Sequence, residues 1–457
     1  MNGAAGQGRG AEETGLTRSG GAPFAERRER LMAKLDDDAA AVFVGASELR
    51  RNGDVDYDFR QESTLHYLTG FDEPSAVCVL RPGTEGPYTL FVRPRDADQE
   101  LWAGPRAGVE GALRDFGADA AHSIEEVESL LPELLEGVDV LYYSLGPAAG
   151  LAGRVQQVLL GALASRRAAS VRDGRALDRV LDPAPLVSGL RLRKDRGEVD
   201  ALRRAIDITA AGIERAMRVA RAGMHEYEVQ AELEAEYRRQ GSPRTAFPSI
   251  VAAGANACTL HYVANRARIE EGDLLLVDTG AEVEYYAADV TRTFPAGGRF
   301  SEPQRLVYEL VLRAQRAAIA AVAPGVRFHD VHEQAVRTLA AGLFDLGLIE
   351  EAPGPGAEAD AVRAYYPHAT SHWLGLDVHD AGSYRVDGES VVLEPGMVLT
   401  VEPGLYLRVD AEGLPPGYRG IGVRIEDDVL VTESGHEVLS AAIPSDLDEL
   451  ESIVADS

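Results

Sequence analysis

The feature that most constrains this chain is residues 272–294, GDLLLVDTGAEVEYYAADVTRTF. Residues 274–277 are an apolar run, with Gly-Asp before it and Asp-Thr-Gly after it, and read as a buried strand. Asp278 closes that strand. Residues 285–294 read as a second strand and carry Asp289. A hairpin between the two brings both carboxylates together. Two carboxylates in a low-dielectric site need a cation or a shared proton. No Lys or Arg lies between them in sequence. The stretch therefore admits two readings: a metal-binding pair, or two solvated turn aspartates.

With 457 residues, the chain is long enough for about two or three domains and a sizeable core. No apolar run approaches the roughly 18–20 residues that span a bilayer. The opening residues 1–23 lack the apolar segment of a secretory signal and read as a disordered tail. The formal charge of -28 disfavours nucleic acid and anionic membranes as partners. Cys78 and Cys258 are the only cysteines. They lie far apart in sequence, which argues against a disulfide framework and fits a reducing, cytoplasmic setting. Lys34 and Lys194 are the only lysines. An acidic, Arg-rich and Lys-poor chain suggests a GC-rich genome or a salt-tolerant source.

Strand candidates at 39–44, 75–80, 88–92 and 138–144 alternate with helical patterns at 24–35, 127–135 and 155–164. This predicts an N-terminal α/β domain over 24–181, with a mixed or mainly parallel sheet. Residues 182–189, DPAPLVSG, read as a linker. Beyond it, helical periodicity runs over 195–219, 226–239, 302–323 and 329–346. Strand-like pieces lie at 249–253, 396–401 and 420–430. The second domain, 190–457, thus reads as α+β, a curved antiparallel sheet covered by helices.

Further acid and imidazole groups fall on similar ground. SHWLGLDVHD carries His372 and His379 around an apolar segment. VLTVEPG ends a strand at Glu402. GIGVRIEDD places Arg424 and Glu426 on one face of a strand and Val423 and Ile425 on the other. Singly, each has an ordinary structural reading. Together, Asp278, Asp289, His372, Glu402 and Glu426 supply four negative charges and one imidazole, which balance two dications. A water shared by two such ions loses its proton near neutral pH. Oxygen-rich ligation with one nitrogen favours Mn²⁺ over Zn²⁺, although affinity order alone favours Zn²⁺.

LHY at 260–262, VDTGAEVEYYAADVTRTFP, HATSHWLGLDVHD, LTVEPGLY and YRGIGVRIEDD occur in this order. The set resembles the pita-bread metallopeptidases, most closely the proline-specific aminopeptidase P branch. RNGDVDYDFRQESTLHYLTGFDEP and LWAGPRAG are similar to that branch's creatinase-like N-domain. The resemblance covers nearly the whole chain.

The resemblance implies two Mn²⁺ ions per subunit. Asp278 would bind one, Asp289 and Glu426 would bridge both, and His372 and Glu402 would complete the ligands of the second ion. His261, His368 and His379 would line the substrate site, with Glu402 as a proton shuttle. Arg424 would hydrogen-bond to a ligand or to substrate. The reaction implied is attack by a bridging hydroxide on the carbonyl of an N-terminal Xaa-Pro bond. Proline's nitrogen carries no hydrogen, so ring packing replaces an N–H contact. Tyr262, Trp373 and Tyr406 are candidate walls for the ring. Ala369 departs from the family, which often has Gly there, and that puts the placement of His368 in question. Asp54 and Trp102 match positions that reach a neighbouring subunit's site, and the resemblance implies a homodimer or homotetramer. Alternatives are an Xaa-Pro dipeptidase of the same fold, a creatinase-like amidinohydrolase, or an inactive peptide-binding relative. The complete ligand set argues against the last two.

Overall fold

The computed structural model describes residues 21–146, 149–173, 179–354 and 356–455. Residues 1–20 of the expected tail lie outside them. Ala22 and Pro23 open the first helix, Ala22–Met32, because proline is well tolerated in a first helical turn. The chain divides into two compact units, Met1–Leu190 and Arg191–Ser457.

The first unit is built on a six-stranded sheet. Its order is Ala120–Ser123, Tyr88–Val92, Val77–Leu80, Ala39–Val44, Val140–Tyr142 and Arg179–Leu181. The sheet is mixed. Val77–Leu80 runs antiparallel to both neighbours, and the other pairings are parallel. Val127 and Leu131 of one helix, and Leu151, Val155 and Leu159 of another, bury one face of it. The expected linker at 182–189 is helical from Ala184 to Arg191. Asp182 Oδ1 accepts the Ala184 N–H at 3.0 Å. The prolines of DPAP therefore mark a helix start rather than a break.

The second unit packs two helix pairs around small antiparallel sheets. Arg196–Val219 packs on Glu226–Arg239, and Glu302–Ala321 packs on Phe328–Asp345. Their apolar faces join Leu274, Leu275, Val277, Val423 and Ile425 in one large core. The expected single curved sheet is divided. Leu274–Thr279 lies between Ile250–Ala253 and Val290–Pro295. A second ribbon pairs Val398–Val401 with Asp427–Val431, and a third pairs Gly404–Leu407 with Ile421–Arg424. These last two are one hairpin-like ribbon interrupted on both strands, at 402–403 and 425–426. The proline at 403 lacks the N–H that a continuous ladder would use.

The expected strand over 285–294 is likewise broken. Tyr286–Ala287 pairs with Ala281–Val283, and Val290–Pro295 pairs with Leu274–Thr279. Asp289 falls between them. Asp278 is opposite Thr291, so Asp278 and Asp289 are same-face diagonal neighbours rather than direct partners.

Behind the site-bearing segments lies a buried ion cluster. Asp380 accepts from Lys194 Nζ at 3.0 Å and from the Arg191 guanidinium. Arg191 also reaches Asp377 at 2.7 Å. The cluster ties the start of this unit to the loop that carries His372 and His379.

Gly280 lets the chain turn between the two aspartates. A Cβ there would stand 1.6 Å from the Ala288 carbonyl oxygen. That neighbour is backbone and cannot rotate away. Gly280→Ala should destabilise the protein by at least about 3 kcal/mol, read as a lower denaturant midpoint; an unchanged midpoint would remove this close approach.

Candidate metal centre and substrate cavity

The candidate ligands reach one place because hydrogen-bonded segments deliver them. Residues 370–374 run alongside Val398–Val401: the Glu402 N–H donates to the Thr370 carbonyl at 2.8 Å and the Thr400 N–H to the His372 carbonyl at 3.0 Å. That pairing sets His372 beside Glu402. Glu402 and Glu426 occupy the facing interruptions of the long ribbon. There the Glu426 N–H turns aside to the Thr291 carbonyl at 3.1 Å. Thr291 Oγ1 also donates to Glu426 Oε2 at 2.6 Å. The interrupted ladder thus frees two carboxylates to point inward.

His372 Nε2 lies 3.3 Å from Asp289 Oδ2 and 3.6 Å from Glu402 Oε1. Asp289, His372 and Glu426 each offer an atom within 4.8 Å of the others, a spacing that suits one ion. The His372 Nδ1 hydrogen bond to its neighbour's carbonyl, at 3.1 Å, requires the proton on Nδ1 and leaves the Nε2 lone pair free. Asp278 is braced by Arg424, whose Nη2 donates to Oδ2 at 2.6 Å. Its Oδ1 is buried and has no hydrogen-bond partner. An orphaned carboxylate oxygen beside three more carboxylates fits a bound cation.

Burial raises the pKa values of Asp289 and Glu426 well above the usual carboxylate range, and neighbouring carboxylates add to the effect. Burial also pushes Glu402 up to about 8. Without added positive charge, these groups take up protons.

All nine candidate residues, including His261, His368, His379 and Arg424, line one cavity of about 870 Å³. His379 packs its ring edge-to-face on His372, with centroids 4.3 Å apart. His368 is held at both nitrogens. Nδ1 faces the Ala369 carbonyl at 2.8 Å and Nε2 faces the Tyr406 hydroxyl at 2.8 Å. The carbonyl can only accept, so Nδ1 carries the proton and Nε2 accepts from Tyr406. The Tyr406 oxygen in turn accepts from Arg424 Nη1 at 2.9 Å. Burial lowers the His368 pKa to about 3, and Arg424 contributes to the shift, which keeps the imidazole neutral. Ala369 is exposed and needs no left-handed backbone, so its methyl does not disturb this arrangement.

The three aromatic residues expected as a proline wall are elsewhere. Trp373 is fully buried in the core. Tyr406 belongs to the Arg424–His368 chain, and Tyr262 donates to Glu226 at 2.8 Å. The cavity is instead lined by the apolar Phe247, Pro248, Ile250, Leu260 and Val263, and also by Phe328, Tyr384, Arg385 and Ser390. Nothing in the local sequence pattern marks these residues as one group, because they come from separate loops, short strands and a helix start. Asp54 and Trp102 are exposed in the first unit, Trp102 to 88%.

Residues 200–433 match metallopeptidase family M24. The chain belongs to that family. Residues 24–142 match the aminopeptidase P N-terminal domain. The chain is 40% identical to the Xaa-Pro aminopeptidase of Haemophilus influenzae, over 94% of this chain and 96% of the relative. It superposes on an aminopeptidase from Pseudomonas aeruginosa with a TM-score of 0.90 at 45% identity, covering 95% of this chain and 97% of that one. A zinc-substituted aminopeptidase P from Escherichia coli, in complex with product, gives 0.89 at 40% identity, covering 95% and 98%.

The M24 centre makes a pH prediction for the metal-free protein. A carboxyl whose folded pKa is raised binds more protons when folded than when unfolded, between its two pKa values. Its contribution to stability is therefore full at low pH and is lost as pH rises through the folded value. For Glu402 the window runs from about 4.3 to about 8. The thermal midpoint of the metal-stripped protein should fall from pH 5 to pH 8, and divalent metal should remove that fall. A midpoint that does not respond to pH would count against the cluster.

Proposed function

We propose that this chain is a dinuclear, manganese-dependent Xaa-Pro aminopeptidase, which removes the first residue from peptides with proline second. The observation that carries the reading is the convergence of Asp278, Asp289, His372, Glu402 and Glu426 on one cavity, with an orphaned carboxylate oxygen among them. Asp289, His372 and Glu426 fit one ion. Asp278 and Glu402 flank that group: Asp278 would hold one ion, Glu402 with His372 would hold a second, and Asp289 and Glu426 would be shared between them. Ions held there supply Lewis-acid polarisation and water activation. Four carboxylates and one imidazole match Mn²⁺.

The chain's own groups do the rest. His261 and His379 stand at the cavity wall, positioned to donate to the carbonyl oxygen as charge develops on it. Glu402, near His372 and His368, moves a proton between water and the departing amine. Arg424 holds Asp278 and Tyr406 in place. The apolar lining at Phe247, Pro248, Ile250, Leu260 and Val263 accepts the proline ring, whose nitrogen offers no hydrogen to bind.

The cavity, at about 870 Å³, is larger than a dipeptide fills, which favours an aminopeptidase over a dipeptidase. The protein is proposed to be cytoplasmic and to act on proline-containing peptides as a homodimer or homotetramer. No described helix is long and apolar enough to cross a membrane. Exposed Leu101 and Trp102, at 82% and 88%, support an association surface to which Asp54 and Trp102 contribute. Light scattering should give two or four subunits; a monomer would remove this part.

Purified protein loaded with Mn²⁺ should release the first residue from Xaa-Pro-Pro peptides at least as well as it cleaves Xaa-Pro. Exclusive cleavage of the dipeptide would favour the dipeptidase. His379→Ala should lower kcat by about 10²–10⁴-fold with metal content retained. Loss of metal in that variant would instead make His379 part of the ligand framework.

A further inference from the structure

His261 lines the cavity, but no described side chain holds its ring by a hydrogen bond. It stands on an irregular loop between Ala253 and Ala267. What places the ring is therefore whatever fixes the loop's backbone.

Asn265 ties one part of the loop to Ser249 and Gln230, and the group that reaches both ends is Glu226, the first residue of the Glu226–Arg239 helix, which is fully buried. Its Oε1 accepts from the Ala253 N–H at 2.8 Å and from Asn256 Nδ2 at 2.9 Å. Its Oε2 accepts from the Tyr262 hydroxyl at 2.8 Å and from the Ala267 N–H at 2.8 Å. The four donors fall on both sides of His261 in sequence, and one is its immediate neighbour. A carboxylate has about four lone-pair sites, and here each has a donor. The backbone adds a fifth tie, since the Glu226 N–H donates to the Ala267 carbonyl at 3.0 Å.

We infer that Glu226 is a positioning residue for His261: its carboxylate clamps both ends of the Ala253–Ala267 loop and so fixes the imidazole over the reacting centre. Only a carboxylate has this capacity, and that of Asp would sit one methylene short. An amide has one acceptor end, so Gln would turn its NH₂ group toward two of the four donors. The loop would be released on one side, and a misplacement of about 1 Å can lower a rate by about 10²-fold.

The inference rests on the peptidase reading, and the experiment separates the two. Wild-type protein with Mn²⁺ is assayed first; absence of proline-dependent turnover defeats the reading itself. Glu226→Gln is then compared in wild-type and His261→Ala backgrounds. The expected result is a kcat loss of about 10- to 100-fold in the wild-type background, with metal content unchanged. In the His261→Ala background Glu226→Gln should leave kcat unaltered. Hydrogen exchange at the Ala253 and Ala267 amides should quicken in the variant, while Leu274–Thr279 stays protected. A kcat loss of equal size in both backgrounds would show a general structural role and overturn the inference, as would no loss at all. Should Glu226→Gln fail to fold, Tyr262→Phe decides through the same cycle. It removes one of the four donors and should give a smaller loss that is again absent without His261.

Discussion

Four carboxylates face one another across a mostly buried space, and their mutual repulsion is the constraint that the second unit is arranged to meet. One guanidinium, that of Arg424, reaches only Asp278 among them, at 2.6 Å. The other three are driven toward their protonated forms by burial. A site of this kind is stable when a cation occupies it and strained toward neutrality when none does. Metal binding is thus the charge balance that the fold presupposes as well as the basis of its chemistry.

The fold brings these groups together by interrupting its own strands. Asp289 lies between two strands that belong to different sheets. Glu402 and Glu426 lie at the matched breaks of one ribbon. In each case a side chain at a break escapes strict alternation and can turn toward the cavity, while its backbone finds another partner. Rigid elements on both sides keep the escape local. Glycine at 280, against the Ala288 carbonyl, allows the first of these breaks.

Much of this was legible in the sequence, for identifiable reasons. Asp278 and Glu402 stood out as carboxylates closing apolar strands, and Glu426 because it shares with Arg424 one face of a strand whose other face is apolar. Val423 and Ile425 fell in the core, opposite Arg424 and Glu426, as period-two alternation requires. The breaks themselves were less visible. The turn at Glu284 and Tyr285 has both residues at positive φ without the Asn-Gly pattern that marks such turns. The cavity's apolar wall was invisible, and the aromatic residues expected there serve the core and the hydrogen-bond chains. An aromatic ring in sequence shows its bulk but not its neighbours. The four donors gathered by Glu226 were also hidden, because they are brought together only by the loop's path.

The histidines at 368 and 372 share a habit that bears on evolutionary latitude. Each faces Nδ1 to the carbonyl of the very next residue, where a carboxylate or a distant side chain could have served. Every amino acid carries that carbonyl. Residue 369 can therefore drift between glycine and alanine, or further, without altering the tautomer its neighbour presents, so long as the backbone keeps its course. Two imidazoles whose orientation matters are secured by an anchor that mutation cannot delete.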